Sequence, residues 1–214
     1  GDIFAIMCTH HYGYSALDAD DVTRATIEAR QEAHRMVEAL RSLGDPWSGM
    51  RIVSTGNQIG IREARRIRGL YEVTIDDMLA GRRHDDAACE VTKGFNVHAV
   101  KRDQPNIEGR TNASDAPRVE GKPQPYQIPV RALVARDVDG LMMAGRCISG
   151  DFWAHSSYRQ TGDAVKMGQA AGRNAATLVD DGATPHERFA SAEACFPLER
   201  GSIDVSREVR ANVL

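Results

Sequence analysis

Long apolar runs and blocks of like charge are both missing from this sequence. Its uncharged apolar stretches, such as those at 133–135 and 141–144, are far shorter than the roughly 20 residues that a membrane-spanning helix needs. The 27 Lys and Arg residues nearly balance the 30 Asp and Glu residues, and the formal net charge is −3. We therefore expect no membrane association and no nucleic-acid partner, since nucleic acid binds to basic patches.

Paired cysteine spacings and a leader segment are missing too. Four cysteines are present, Cys8, Cys89, Cys147 and Cys195, and none of them forms a C-x-x-C motif. Neither a disulfide framework nor a zinc or iron–sulfur site is therefore predicted, and a reducing cytoplasm is the expected location. The sequence has no initiator Met, and its first residues lack the basic segment of a signal peptide, so we expect the chain to begin inside something longer.

The histidines do not have the spacing of a metal site. His10 and His11 are adjacent, near Cys8, while His84 and His98 stand elsewhere in the chain. Adjacent residues of a strand point to opposite faces, so the first two histidines do not share one ion there. No pair of histidines four residues apart lies in a predicted helix. No bound metal is predicted.

The elements that are present alternate between helices and short extended segments, in an ordinary globular composition of 42% hydrophobic and 27% charged residues. Helices are predicted from about Asp20 to Leu43, from Thr74 (with a capping box to Asp77) to Leu79, over Thr161–Val179, and from Thr184 onward. Strands are predicted at Met50–Thr55, Leu70–Val73, Phe95–Val100, Tyr126–Val134 and Leu141–Ala144. A proline-containing loop is predicted at Arg102–Pro125.

One strand-to-helix unit has the features of a ligand site. The strand Leu141–Ala144 runs directly into Gly145, where the backbone can approach a bulky ligand without an intervening Cβ. The helix from Thr161 presents unpaired N–H groups and the positive end of its dipole. Together they suit an anion or the electron-rich edge of a ligand. A plain tight contact between helix and strand explains the same pattern.

Five motifs in this region and before it resemble a known family. They are A-G-R-C-I-S at 144–149, H-S-S-Y-R at 155–159, G-Q-A-A-G at 168–172, G-I-R-E-A-R-R-I at 60–67 and Y-Q-I-P-V-R at 126–131. Taken in chain order, they are similar to segments in the carboxy-terminal half of FAD-dependent oxidoreductases with the glutathione-reductase type of fold. The resemblance covers roughly residues 18–179.

The phosphate-binding fingerprint of that family is missing. No G-x-G-x-x-G turn occurs anywhere in the sequence. The resemblance therefore implies an α/β chain that forms the carboxy-terminal part of a Rossmann-like FAD-binding fold plus part of a substrate domain. It divides the chain into part of the substrate or cap domain (1–135), the last strand and helix of the FAD-binding domain (136–182) and a helical tail (183–214). The implied partner is a second polypeptide that carries the amino-terminal, pyrophosphate-binding half.

The resemblance also implies where FAD binds. The turn at Gly145 and Arg146 is expected beside the ribitol and phosphates, and Gln160–Asp163 near the pyrimidine edge of the isoalloxazine. The implied cofactor-binding set is Ala144, Gly145, Arg146, Ser156, Arg159, Gln160, Thr161, Gly162 and Asp163. Asp163 has a second reading, in which it merely favours the helix dipole from the surface.

The predicted catalytic residues are His155, Arg62, Glu63 and Arg159. Oxidation of a C–H bond next to oxygen or nitrogen needs a base and a clamp on the substrate, and histidine has an ordinary pKa near neutrality. His155 could instead be a hydrogen-bonded structural histidine. Arg62 and Glu63 could anchor the substrate or form part of an ion-paired lock.

The resulting functional hypothesis is a part or subunit of an FAD-dependent dehydrogenase that transfers a hydride from a small organic substrate to flavin N5. Two alternatives belong to other classes of protein. One is a non-catalytic assembly subunit that keeps the flavoprotein fold. The other is a metal-dependent hydrolase that uses the histidines.

Overall fold

The computed structural model describes residues 3–7, 9–97, 107–108 and 121–189. The chain divides into two compact units, and in sequence the division falls between Ala64 and Arg65. The described residues before this division are called the amino-terminal unit, and those after it the carboxy-terminal unit.

One long helix dominates the amino-terminal unit. Helix α1 spans Ala19–Ser42, within one residue of the predicted bounds at each end. Its N-cap is Asp18, whose side chain accepts hydrogen bonds from the backbone N–H groups of Asp20 (2.8 Å) and Asp21 (3.1 Å). The acidic first turn and the basic last turn complement the helix dipole. Local sequence signals therefore account for where this helix begins and ends.

The predicted strand Met50–Thr55 is wrong. The segment has no strand partner, and α1 side chains contact the residues that follow it instead. Arg30 donates to the carbonyl groups of Gly56 (3.0 Å) and Asn57 (2.9 Å). The hydroxyl oxygen of Thr26 accepts from the N–H of Ile59 (3.0 Å). An apolar run forms a strand only where a partner completes the ladder, and no described segment does so here.

The carboxy-terminal unit contains two short antiparallel sheets. Strand β1 (Ala87–Val91) pairs with β4 (Tyr126–Pro129), and β2 (Asn96–Val97) pairs with β3 (Ile107–Glu108). The predicted strand that starts at Tyr126 ends early, because Pro129 has no N–H to continue the ladder and a 3-10 turn follows at Val130–Ala132.

Two other predicted strands, Leu70–Val73 and Leu141–Ala144, are wrong as strands. They are reduced to single backbone bridges, which join Gly69 to Ala135, Val73 to Gly150, and Val134 to Met142. Each segment meets a different partner at one residue, so no continuous ladder forms. Within the described ranges the sheets are therefore two-stranded and antiparallel.

Four helices complete the carboxy-terminal unit: α2 (Ile75–Ala80), α3 (Phe152–Tyr158), α4 (Thr161–Asp181) and α5 (Pro185–Phe189). The predicted capping box of α2 is confirmed, and Gly81 closes the helix in the left-handed region with φ of 62°. A reciprocal pair of hydrogen bonds between Thr184 and Glu187 starts α5 as predicted. Helix α3 is absent from the sequence prediction.

The apolar core of this unit lies between β1, β4, α2, α3 and α4. Its largest fully buried apolar side chains are Tyr126, Tyr158, Met78, Ile128, Leu133, Ile148 and Met167. The rings of Phe95 and Trp153 meet edge to face, with centroids 5.4 Å apart. Because α3 lies inside this core, the core itself fixes the polar side chains that α3 carries.

Some predictions fall partly outside the described residues. The strand Phe95–Val100 is described only as far as Val97, most of the loop Arg102–Pro125 is not described, and the tail 183–214 is described only to Phe189. None of the helices in the described ranges has both the length and the apolar character required to cross a lipid bilayer.

Candidate functional site

A glycine turn packs directly against the start of α4. Gly145 is buried and has a φ of 83°, a conformation that side chains with a Cβ rarely adopt. A Cβ added there would lie 3.5 Å from the Cβ of Ala164 in the first turns of α4. The thiol of Cys147 closes the turn by donating to the carbonyl of Ala144 (3.3 Å). The positive φ therefore favours glycine here, while a Cβ would meet the helix only at ordinary van der Waals distance.

The amino terminus of α4 carries no side-chain cap. Gln160 occupies the N-cap position without a capping hydrogen bond, and its carbonyl accepts the first bond within the helix, from Ala164 (3.0 Å). Thr161 and Gly162 are exposed, and no neighbouring atom lies within 4 Å of a Cβ added to Gly162. The positive end of a 21-residue helix thus faces open space, where it can stabilise negative charge.

Asp163, the next residue of this turn, is not exposed as Thr161 and Gly162 are. Its side chain is largely buried and contacts Lys166 at 3.4 Å. The carboxylate also acts on Cys89 of β1, where burial, with a smaller contribution from Asp163, raises the pKa of the thiol to about 11. The second reading places Asp163 on the surface, and its burial differs from that, although the residue lies in the first turn of α4. Its predicted role at the flavin stays a prediction.

His155 lies deep in the unit, on α3, and is 2% exposed. Burial, reinforced by the positive charges of Arg66, Arg159 and Arg146, lowers the pKa of the imidazole to about 3. The ring also hydrogen-bonds to the backbone of Arg146 and meets the ring of Tyr158 edge to face at 5.5 Å. At neutral pH the side chain is therefore neutral, and in this environment it is a far weaker base than an ordinary histidine.

Arg159 connects His155 to β2. The guanidinium is about nine-tenths buried and donates from Nη2 to the backbone carbonyl of Asn96 (2.9 Å). Arg146 in turn directs its Nε toward the carbonyl of Arg159 (3.5 Å). Three predicted site residues, His155, Arg146 and Arg159, are thus brought together.

Asn96 is a candidate that the sequence prediction missed. Its side-chain oxygen is buried and has no hydrogen-bond partner. The signal was available, because a polar residue between Phe95 and Val97 interrupts an apolar stretch, and alternation along a strand turns it away from their shared face. A buried polar atom without a partner is uncommon in a folded protein, so this oxygen is a candidate contact for a ligand or for an ordered water.

The structure says less about the roles of the other predicted site residues. Ser156 is buried, and its hydroxyl donates to the carbonyl of Trp153 (2.7 Å) inside α3. Arg62 and Glu63 are partly buried residues of the amino-terminal unit, and their predicted role in substrate binding stays a prediction.

The described part of the chain holds no group of three or more His, Cys, Asp or Glu side chains that could bind a metal ion. His11 instead approaches two carboxylates of α1, Glu32 at 3.1 Å and Glu28 at 3.8 Å. His84 packs edge to face on Tyr71 at 4.9 Å. No observation here favours the metal-dependent hydrolase.

The sequence matches the family model described as "FAD dependent oxidoreductase" over residues 2–188. No curated protein and no solved structure matches the chain. The match indicates FAD as the cofactor. The site fits the flavin part of such a cofactor, because the glycine turn, the uncapped helix end and the cationic side chains all suit a flat, electron-rich ligand.

Proposed function

Because this chain belongs to the FAD dependent oxidoreductase family, we propose that it is part of a dehydrogenase in which a small organic substrate gives up a hydride to flavin N5. The observation that carries this proposal is the turn at Gly145, which lies against the uncapped amino terminus of α4. When bound, FAD supplies the hydride acceptor, and the protein supplies binding, orientation and electrostatics.

The first turn of α4 is the proposed electrostatic element. Thr161 and Gly162 present backbone N–H groups at the positive end of the helix, next to open space. Such groups stabilise negative charge on the pyrimidine edge of the flavin without having to reorient. Gln160 leads into this turn and leaves it uncapped.

The Gly145 turn is the proposed contact with the ribitol and phosphates. Ala144 enters it with extended backbone and Gly145 brings the main chain close, while Arg146 holds an exposed guanidinium beside it. A guanidinium suits phosphate oxygens in both charge and geometry. The same proposal includes the glutathione-reductase type of fold. It also includes the division of the chain into residues 1–135, 136–182 and 183–214.

A second polypeptide is the proposed source of the pyrophosphate-binding half. Two observations support it: the sequence lacks the G-x-G-x-x-G turn, and the amino-terminal unit exposes many large apolar side chains. These exposed residues are Ile3, Phe4, Ile6, Met7, Ile27, Leu43, Trp47 and Val53. A cytoplasmic location is proposed with it, from the cysteine pattern.

The burial of His155 gives one alternative some support, a subunit that holds FAD without catalysing a reaction. An imidazole with a pKa of about 3 is neutral and only weakly basic at pH 7. Bleaching of the flavin absorbance by a substrate separates the two, since a non-catalytic subunit keeps its flavin oxidised.

The experiment compares Gly145→Ala with Gly140→Ala in the FAD-loaded protein. Both glycines have positive φ, 83° and 75°, so alanine strains the backbone similarly at each position. Nothing lies within 4 Å of a Cβ added to Gly140, which makes it the matched control. We expect Gly145→Ala to raise the FAD dissociation constant about tenfold or more, and Gly140→Ala to leave it unchanged. Equal FAD affinity in both variants, at equal thermal stability, would contradict the proposal.

A further inference from the structure

We propose that the segment Ile3–Met7 joins a β-sheet of the second polypeptide as an interior strand, with that polypeptide covering both of its faces. These five residues are called the apolar segment. The inference rests on the proposed function, because it names how the proposed partner binds to this chain.

The first argument is the exposure of the apolar segment on all sides. Its five residues are apolar and exposed, with Ile3 at 85% and Met7 at 93%. Successive side chains of a strand point to opposite faces, so Phe4 and Ile6 would share one face and the other three residues the opposite one. Packing on a single surface covers only one of these faces. A position between two layers covers both.

The second argument is the backbone of the apolar segment. No other residue in the described ranges forms a backbone–backbone hydrogen bond with it. Its N–H and C=O groups are thus free of partners within that part of the chain, and a neighbouring strand can pair with them. Addition of an extended segment to a sheet takes its affinity from such main-chain hydrogen bonds. Five residues in a strand span about 17 Å, which is an ordinary strand length.

The third argument is the absence of protection against pairing. Strands at the edge of a sheet are commonly protected by charged residues, by proline or by a bulge. The apolar segment contains no charged residue and no proline. Uninterrupted apolar runs are instead typical of strands that are buried on both faces. The composition therefore favours an interior position over an edge.

A second copy of this chain fits these observations less well than a separate polypeptide does. Two apolar segments that pair with each other form a two-stranded ribbon, which leaves both faces exposed and has marginal stability. The described residues before Ala64 contain α1 but no strand that could extend the ribbon. A separate polypeptide with its own covered sheet supplies both the pairing and the two covering layers.

Helix α1 holds the chain a few residues after the apolar segment. The N–H of Ser15 donates to the carboxylate of Asp21 (2.8 Å), and the hydroxyl of Tyr14 donates to the carboxylate of Glu28. Both acceptors lie on α1. These contacts fix where the chain leaves the helix, so the partner meets the apolar segment at a defined place.

The first test is hydrogen exchange at the backbone amides of residues 4–7. It compares this chain alone with the assembly isolated from its natural source. Ladder hydrogen bonds protect amides from exchange, so we expect these amides to exchange about a hundredfold or more slowly in the assembly. Equal exchange rates in the two samples would overturn the proposed strand.

The second test uses tagged variants produced in the natural source, with the dissociation constant of the assembly read by native mass spectrometry on dilution. Ile6→Lys and Met7→Lys place a charge on opposite faces, and each is expected to weaken the assembly about tenfold or more. Val138→Lys, at an exposed valine of the carboxy-terminal unit, is the matched control and is expected to change nothing. Ala5→Pro removes one N–H and is expected to weaken the assembly, whereas Ala5→Ser keeps the N–H and is not.

The outcomes separate this inference from the function on which it rests. A loss in only one of the two lysine variants shows that one face is covered and overturns the interior strand. Full affinity in both variants overturns the inference and leaves the second polypeptide standing. Two copies of this chain without a second polypeptide overturn the inference together with the proposed partner, and bound FAD in that pair would still support the flavin function.

Discussion

The two units of the chain differ in how much of their structure is fixed by a core. In the carboxy-terminal unit, Met78, Tyr126 and Ile128 are fully buried, and the site residues lie on elements that this core holds. In the amino-terminal unit, α1 buries only Ala25 and Thr26 among its 24 residues. The difference shows that a candidate site can be specified by one unit alone, while the other unit is specified mainly by local helix signals.

The exposed side chains show the same contrast. Ile27 of α1 is 49% exposed and Leu43 is 70% exposed, although both lie in a strongly patterned helical stretch. Folded proteins usually cover such surface with another element or another chain. The contrast therefore supports the proposal of a second polypeptide, with the amino-terminal unit as the surface that it covers.

The largest expected effect comes from deleting core atoms. Met78→Ala removes a fully buried side chain from the carboxy-terminal unit and is expected to lower the free energy of unfolding by about 2–5 kcal/mol. Ile27→Ala, on the exposed face of α1, is expected to change it by about 0.5 kcal/mol or less. Denaturant unfolding of both variants checks this. A loss at Ile27 as large as that at Met78 would contradict the contrast between the units.

The next effect is a dependence of stability on pH. Burial lowers the pKa of His155 to about 3, below the ordinary 6.5, so the unfolded chain binds a proton between these values and the folded chain does not. Stability is thus fully present above about pH 6.5 and is lost as the pH falls. The loss at pH 5 is expected to be about 2 kcal/mol.

The variant His155→Gln serves as the control for this prediction. A neutral amide does not titrate, so the variant is expected to lose less stability between pH 7 and pH 5 than the natural protein. His84, whose pKa is also lowered by burial, contributes in the same direction and leaves some dependence in both proteins. Identical pH profiles for the two proteins would show that the imidazole does not resist protonation as described.

The smallest effects distinguish two helix caps. Asp151 caps α3 and also binds the N–H of Ile75 in α2, in a largely buried place, so Asp151→Ala is expected to cost about 2 kcal/mol. Asp18 caps only α1, in an exposed place, and Asp18→Ala is expected to cost about 1 kcal/mol or less. Asp180→Ala, an exposed residue of α4, is the control. Thermal unfolding ranks the three variants, and a larger loss at Asp18 than at Asp151 would reverse the argument.

The sequence predicts those elements that carry their own signals. The capping box at Thr74 and Asp77 and the helix after Gln160 depend on neighbouring residues, and the structure has both of them. The strands at 50–55 and 70–73 fail because a strand depends on a partner that its own residues do not specify.

Helix α3 was not predicted from the sequence, for a different reason. Six of its seven residues, from Trp153 to Tyr158, are buried, so the helix has no polar face and no amphipathic stripe. In the sequence, its His and Ser residues are then more typical of a loop than of a helix. The lowered pKa of His155 could not be predicted from the sequence either. It depends on burial and on the charges of Arg66, Arg146 and Arg159, which only the fold brings near the imidazole.

The candidate site was predictable where it depends on a local turn. The sequence around Ala144 and Gly145 predicts a turn, and the sequence after Gln160 predicts the start of α4. The structure brings this turn and the start of α4 into contact. Asn96 was missed, because its significance lies in a buried oxygen without a partner. Chemistry that depends on burial and on charges from distant segments needs the structure.

Native mass spectrometry of the protein isolated from its natural source tests the central claim most directly, since it reads polypeptide masses and bound small molecules together. The account predicts an assembly that contains this chain, a second polypeptide and noncovalently bound FAD. This chain alone, folded and without FAD, would contradict it.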